Sequence, residues 1–337
     1  MNVLNGISTV SIQSTRYLVD SLKKINVNSI IVVYRKNKLL INFEDKSLNI
    51  DYGKKYMFPV YSIKLFWFFI KSIFQFNVFH FHFGHSLLPL NIDLFFLKII
   101  GKKVFMEYHG SEIRSKSKCC HPDLLEFCIE DSVSLKKQTR ISKFINGIIV
   151  HDNELKDNLF DLHIPVYTVP LRINLDNFLF LPPINHSNPL VIVHSPSKTK
   201  IKGTKYIIDA IDKLKDKYSL DFRLLTDMPN SEVIINFSEA DIVIDQLLIG
   251  EYGMVSIEGM AMGKPVVCFL NEKYFDENVL LPPIWNANEI NIYEKLEQLI
   301  SNYKLREDLG NRGREFVEHY HDSDIVAAKM KNIYLNG

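Results

Sequence analysis

Gly250-Glu251-Tyr252-Gly253-Met254-Val255-Ser256-Ile257-Glu258-Gly259-Met260-Ala261-Met262-Gly263-Lys264-Pro265 is the stretch on which the reading of the fold turns. It lies between two short apolar runs, Ile242 to Ile244 and Pro265 to Phe269. Continuous apolar runs of that length read as strands buried on both faces. Between them, Gly253 to Met262 has helical character. It opens after a glycine turn and closes at Gly263-Lys264-Pro265, where glycine and proline interrupt the helix. Strand, helix and strand in that order form one unit of a parallel sheet covered by helices.

The alternation extends in both directions. Upstream lie a strand over Leu190 to His194, a helix over Gly203 to Tyr218 and a strand over Asp221 to Leu225. In that helix Tyr206, Ile207, Ala210, Ile211 and Leu214 form one stripe. Downstream, Glu294 to Asn302 and Lys304 to His319 are amphipathic, and Ser323 to Leu335 is a last helix. A separate series precedes these elements. Its strands are Ile30 to Tyr34, Val78 to Phe83, Lys103 to Tyr108 and Gly147 to Val150, and its helices include Thr15 to Lys24 and Asp93 to Ile100. Pro165, Pro170, Pro182, Pro183 and Pro189 separate the two series and mark a linker. The expected fold is therefore α/β, with two doubly wound, Rossmann-like domains. In such sheets ligands bind beyond the carboxyl ends of the strands, so the chemistry is expected in loops facing a cleft between the domains.

Composition narrows the functional classes. The chain has 337 residues, 47% hydrophobic and 23% charged, which are globular proportions. Forty Lys and Arg balance thirty-nine Asp and Glu, which argues against nucleic acid as a partner. Cys119, Cys120, Cys128 and Cys268 show no CxxC pair and read as reduced thiols. The opening Met1-Asn2-Val3-Leu4-Asn5-Gly6 has neither a basic nor an apolar signal region. The longest apolar run, Leu65 to Ile70, is far too short to span a bilayer. The expectation is a cytoplasmic protein, with work at the inner face of the cell membrane left open.

Two segments suit an anionic ligand. Backbone N–H groups and the positive helix end at Gly253, Met254 and Val255 would favour a diphosphate. Glu258, about a turn and a half further along the helix, could accept hydrogen bonds from two ribose hydroxyls; the alternative is an ordinary turn with a solvated glutamate. The other segment is His194-Ser195-Pro196-Ser197-Lys198-Thr199-Lys200-Ile201-Lys202-Gly203-Thr204, whose lysines cluster at a helix start. It reads as an anion site or as a solvated basic loop. Asp245, at the end of the strand before the first segment, could meet the ligand or cap a turn.

Gly-Glu-Tyr-Gly-x4-Glu-Gly-Met-Ala-x-Gly-Lys-Pro-Val-Val resembles the nucleotide-binding segment of family 4 retaining glycosyltransferases of the GT-B fold. The resemblance runs most clearly over residues 78–114 and 191–265. It implies transfer of a sugar from a UDP- or GDP-linked donor to a glycan or lipid-linked acceptor, with no cofactor and no metal. Glu258 matches the second glutamate of the family's E-x7-E motif, which binds ribose. The first should stand at position 250, which here is glycine, with Glu251 one place late. Glu251 either reaches the reaction centre through an altered loop, or the role is filled otherwise, or activity is reduced. Lys202-Gly203 matches the family's diphosphate-binding Lys-Gly. The family's second basic residue, usually arginine, has Lys198 or Lys200 as its nearest counterpart. Asn5-Gly6-Ile7-Ser8-Thr9 resembles a reduced N-terminal glycine loop.

In the first half, Phe79-His80-Phe81-His82-Phe83-Gly84-His85 ends one strand and Tyr108-His109-Gly110-Ser111 ends the next. The histidines admit a metal cluster, but alternation with phenylalanine favours buried, hydrogen-bonded imidazoles. His109-Gly110 resembles the family's histidine-glycine turn, which implies that His109 faces the donor sugar. Pro59 to Phe76 is rich in aromatics, with Lys54, Lys55, Lys64 and Lys71 in or near it, and Arg114, Lys116, Lys118, Lys136, Lys137, Arg140 and Lys143 follow. The pattern fits a membrane-surface helix and equally a helix covering the sheet. The resulting expectation is an acceptor domain over residues 1–172, joined by a returning helix over 320–337, and a donor domain over 185–319. Two other readings stay open: a nucleotide-sugar epimerase of the same fold, and a non-catalytic partner subunit.

Overall fold

A computed structural model describes residues 1–8, 13–35, 44–51, 53–185, 188–275 and 280–337. Thr9 and the Lys55 side chain lie outside the described residues. The chain divides into two compact units. The first comprises Met1–Lys118, Cys128–Arg172 and Ser323–Gly337, and the second Cys119–Phe127 and Ile173–Asp322.

The first unit is built on strands β1 (Asn2–Ser8), β2 (Asn28–Val33), β3 (Lys46–Ser47), β4 (Val78–His82), β5 (Lys103–Glu107), β6 (Gly147–Val150) and β7 (Val166–Thr168). They form one parallel sheet in the order β3-β2-β1-β4-β5-β6-β7. Its helices are α1 (Gln13–Lys24), α2 (Phe58–Gln75), α3 (Ile92–Ile99), α4 (Asp131–Ser142) and α5 (Asn153–Asp157). Leu65 and Phe69 of α2, Leu94 and Leu97 of α3 and Ile141 of α4 share one core with Phe79, Phe81 and Val104 of the sheet. Leu18 and Leu22 of α1 share another with Val3, Phe105 and Ile149. Gly6 lies inside β1 rather than in a free loop. A Cβ there would stand 2.2 Å from the Val32 carbonyl oxygen, so only glycine allows the two strands to approach.

The second unit contains β8 (Leu190–His194), β9 (Leu220–Leu224), β10 (Ile242–Ile244), β11 (Val266–Cys268) and β12 (Trp285–Asn286). They are parallel, in the order β12-β11-β10-β8-β9. The helices are α6 (Thr199–Lys202), α7 (Thr204–Lys215), α8 (Asn230–Glu239), α9 (Met254–Ala261), α10 (Ile292–Ser301) and α11 (Tyr303–Tyr320). The sheet is wound outward from β8 in both directions, so β8 and β10 flank a topological switch point, the usual ligand position in such sheets. Cys119–Phe127, which the sequence reading keeps within residues 1–172, packs with this unit. Leu124 joins its core, the Cys120 thiol lies 3.2 Å from the Leu248 and Ile249 carbonyls, and Tyr206 donates to Asp123 at 2.9 Å. The last helix, α12 (Ser323–Asn336), returns to the first unit. Its Val326, Ala327, Met330 and Tyr334 pack with Leu18 and Leu22 of α1. Among the described residues no helix is long and apolar enough to cross a membrane.

Candidate functional site

In the second unit the residues singled out from sequence gather at the β8/β10 switch point. Asp245 follows directly after β10 and is buried. One of its oxygens accepts from Lys202 at 2.7 Å, and the other from the Gly253 N–H at 2.9 Å and the Ser256 hydroxyl at 2.8 Å. Burial alone would raise its pKa, but the Lys202 charge and these hydrogen bonds hold it below the usual range. Asp245 thus ties Gly253 and Ser256, at the start of α9, to the end of β10. Lys202 also donates to the Gln246 side chain at 2.8 Å. An ammonium has three protons, so the third remains for a further acceptor. The expected helix over 203–218 is α7, and Gly203, with φ at 74°, separates it from the short α6 that precedes it. Lys198, at the start of α6, is exposed and has no partner among the described residues, whereas Lys200 pairs with Glu126 at 3.1 Å.

Met254 and Val255 form the first turn of α9, where backbone N–H groups have no intrahelical acceptor. Glu258 lies on the same helix and is only 4% exposed. Burial, first, and the neighbouring Asp245 charge raise its pKa to about 7, against a weak contact with Asn230 at 3.5 Å. A buried carboxyl group so poorly supplied with donors is suited to a ligand that brings its own hydroxyls. His194 braces the site from below: its ring nitrogens meet the Ile244 carbonyl at 2.9 Å and the Thr204 hydroxyl at 2.8 Å.

Gly250 explains its own identity. Its φ is 88°, and a Cβ would stand 2.7 Å from the Asn271 Cβ. A glutamate at this position would be strained in the backbone and blocked by its neighbour. Glu251 is buried, and its carbonyl accepts from the Gln246 side chain. The loop is thus held from both ends in a form that excludes a carboxylate at position 250.

A second polar cluster sits at the carboxyl ends of β4, β5 and β6 in the first unit. Strand register pairs His82 with Glu107. Arg172 and Glu107 are both fully buried, with guanidinium–carboxylate distances of 2.7 and 3.2 Å. Burial would raise the Glu107 pKa, but Arg172 and His80 hold it well below the usual range. His151 Nδ1 faces the Val169 carbonyl at 3.3 Å. A carbonyl only accepts, so this nitrogen carries the proton. His151 Nε2 then accepts from His109 Nδ1 at 2.9 Å, and His109 Nε2 from His82 Nδ1 at 3.2 Å. On the other side the Tyr334 hydroxyl lies 2.7 Å from His80 Nδ1, and His80 Nε2 lies 2.9 Å from Glu107. His82, His109 and His151 are neutral in this chain. The remaining nitrogen, His82 Nε2, is then a bare lone pair, consistent with its having no donor. Burial lowers the pKa of His82 to about 3 and that of His151 to about 4, and that of His109 falls well below the usual value.

His109 therefore has both ring nitrogens engaged within this unit. Among the histidines grouped in sequence, His85 is exposed and apart from the cluster. Glu107, His151 and Arg172 were missed. The one available signal was Glu107 itself, a carboxylate at the end of an otherwise apolar strand. The ligand atoms of His80, His82 and Glu107, and of Glu107, His109 and His151, lie within 4.8 Å of one another. That spacing suits a cation, but Arg172 already neutralises Glu107 and would repel one.

No protein-family model matches the chain. It is 40% identical over 74 residues to an uncharacterized glycosyltransferase, MJ1178, of Methanocaldococcus jannaschii, a match spanning 20% of this chain and 20% of that protein. Sucrose-phosphate synthase from Thermosynechococcus elongatus superposes with a TM-score of 0.69 at 13% identity, covering 99% of this chain and 98% of the other. The catalytic domain of starch synthase IV from Arabidopsis thaliana, bound to ADP and acarbose, gives 0.66 at 12% identity over 99% and 98%. HepE from Anabaena, in complex with UDP and glucose, gives 0.63 at 10% over 99% of both chains. The chain has the GT-B glycosyltransferase fold. In GT-B terms the first unit is the N-terminal Rossmann-like domain with α12 added to it, and the second is the C-terminal one.

Proposed function

We propose that this chain is a retaining glycosyltransferase that moves a sugar from a nucleoside-diphosphate sugar to a glycan or lipid-linked acceptor, in the assembly of bacterial surface polysaccharide. The observation that carries the reading is Glu258: a buried carboxyl group short of donors, on the helix whose first turn offers free N–H groups beside Lys202. In the proposal Glu258 accepts the two ribose hydroxyls. Met254 and Val255 N–H groups, the third proton of Lys202, and Lys198 receive the diphosphate. Negative charge builds on that leaving group as the sugar bond breaks, and fixed donors stabilise it without rearranging. His109 remains a neutral imidazole and meets a sugar hydroxyl only by exchanging its bond to His82 or His151. That HepE binds UDP-glucose lends the donor class support. The chain is further proposed to work peripherally at the inner membrane face.

Calorimetric titration with UDP, GDP and their sugars tests the reading. Glu258→Ala should weaken the preferred nucleotide by roughly 1.5–3 kcal/mol, the cost of losing hydrogen bonds to a charged group. Absence of binding to the folded wild type overturns the donor site. The geometry at Gly250 favours one alternative, a non-catalytic GT-B subunit, because that position has no room for the family's first glutamate. Turnover by the isolated chain with donor and acceptor dismisses it. Conversion of the donor sugar without acceptor would identify an epimerase instead.

A further inference from the structure

The outward face of α2 is apolar although nothing among the described residues covers it. Tyr61, Leu65, Phe68, Phe69 and Ser72 point into the core. At 100° per residue, Ile63, Trp67 and Phe74 fall on the opposite side, and they are 61%, 59% and 84% exposed. The surface continues onto α3. Phe69 of α2 meets Phe96 at 6.5 Å between ring centroids, and both Phe96 and Ile99 of α3 are about half exposed or more. Isolated exposed apolar residues are ordinary, but two adjacent helices presenting them together mark an interaction surface.

The charge pattern identifies the partner. Lys64 and Lys71, seven residues apart, run along one edge of the α2 stripe; both are exposed and have no partner among the described residues. Between positions 54 and 106 the sequence contains a single carboxylate, Asp93. That residue is fully buried, bonded to Ser86 and to the Leu87 and Leu88 N–H groups. The surface is therefore aromatic, aliphatic and cationic with no exposed acid. By contrast, Arg114, Lys116 and Lys118, which the sequence groups with it, are occupied by Glu154, by Glu130, and by the Asp157 and Leu159 carbonyls. A protein partner or a second copy of this near-neutral chain gives no reason for excluding acids so completely. An anionic bilayer does, since aromatic rings enter the headgroup region while lysines remain at its charged edge.

We infer that the joint outer face of α2 and α3 docks this chain on an anionic lipid surface, with Trp67 and Phe74 inserted and Lys64 and Lys71 on the headgroups. The inference rests on the peripheral placement proposed above. The test is co-sedimentation of the full chain with vesicles of phosphatidylcholine alone and of phosphatidylcholine with 30% phosphatidylglycerol (about that fraction suffices for a strong surface potential). A Trp285→Phe background leaves Trp67 as the only tryptophan. The expected result is binding to the anionic vesicles only, a blue shift of Trp67 emission, and its quenching by brominated lipid. Lys64→Glu with Lys71→Glu should weaken binding at least tenfold, and Ile63→Ser with Trp67→Ser should abolish it. UDP-glucose affinity of both variants should equal the wild type, which separates failure of this surface from failure of the donor site. Equal binding to both vesicle types, or none to either, overturns the inference. So does Trp67 emission that shifts with protein concentration and not with lipid, which would make the face a contact between copies.

Discussion

Binding of a nucleotide sugar should release a proton, and Glu258 should be its source. Burial holds that carboxyl group at a pKa of about 7 in the free protein. A ribose would supply two hydroxyl donors, which stabilise the ionised form and return the pKa toward about 4.3, the ordinary glutamate value. Glutamate protonated in the free state must ionise to accept both bonds. Below about pH 7 each unit of acidification should therefore weaken UDP-glucose about tenfold, or about 1.4 kcal/mol per unit. Above it the affinity should level off. UDP-glucose is preferable to UDP because UDP has a second phosphate ionisation near pH 6, as other phosphate monoesters do, which would mimic the effect. The assay is calorimetry at pH 6, 7 and 8 in two buffers of different ionisation enthalpy. At pH 6 close to one proton should leave per ligand bound, since about nine-tenths of a group of pKa 7 is then protonated. Glu258→Gln cannot ionise and should bind more weakly with no pH slope. An affinity that stays flat between pH 6 and 8 in the wild type, or a slope that survives in Glu258→Gln, refutes the reasoning.

Three further outcomes follow from the geometry. Gly250→Glu should lower the melting temperature, at a cost of roughly 1–3 kcal/mol for a strained backbone residue, and should not raise turnover despite restoring the family's carboxylate. Arg172→Met should leave Glu107 buried and uncompensated, costing roughly 3–5 kcal/mol; adding Glu107→Gln should recover part of the loss in denaturant unfolding. Acid should destabilise both units. The folded pKa values of His151 and His194 are both about 4, below the unfolded value of about 6.5. The unfolded chain therefore binds more protons in that window, and stability falls as pH drops from about 6.5 to about 4, by about 1.4 kcal/mol per unit for each histidine. Melting curves across the range check the sign, and His194→Gln should flatten the slope.

Local pattern carried much of the architecture. The run from Gly250 to Pro265 announces α9 and its flanking strands because a period of 3.6 between two apolar runs and two glycine breaks is written in consecutive residues. The strand over Leu190 to His194 needed nothing beyond its own side chains. Glu258, Lys202 and Gly203 stand out from the runs of consecutive residues that carry them, whereas the meeting of Lys202 with Asp245, 43 positions away, needed the fold. β1 was not seen: Asn2-Val3-Leu4-Asn5-Gly6-Ile7-Ser8 has no strand period, and Asn5 is tolerated at the sheet centre because Ser29, on the adjacent strand, accepts from its amide at 2.7 Å.

Sequence alone thus determined many of the elements, the α/β class and the helix that presents Glu258. Those properties depend on side-chain spacing within a dozen residues. Only the tertiary structure decided that Arg172 meets Glu107 across 65 positions, that His151 engages the second nitrogen of His109, and that Cys119–Phe127 packs with the second unit. It also decided that Gly250 has no room for a side chain. Each of these is a contact between segments distant in the chain. Their cost and benefit are set by burial and by the partner that arrives, which no local pattern encodes.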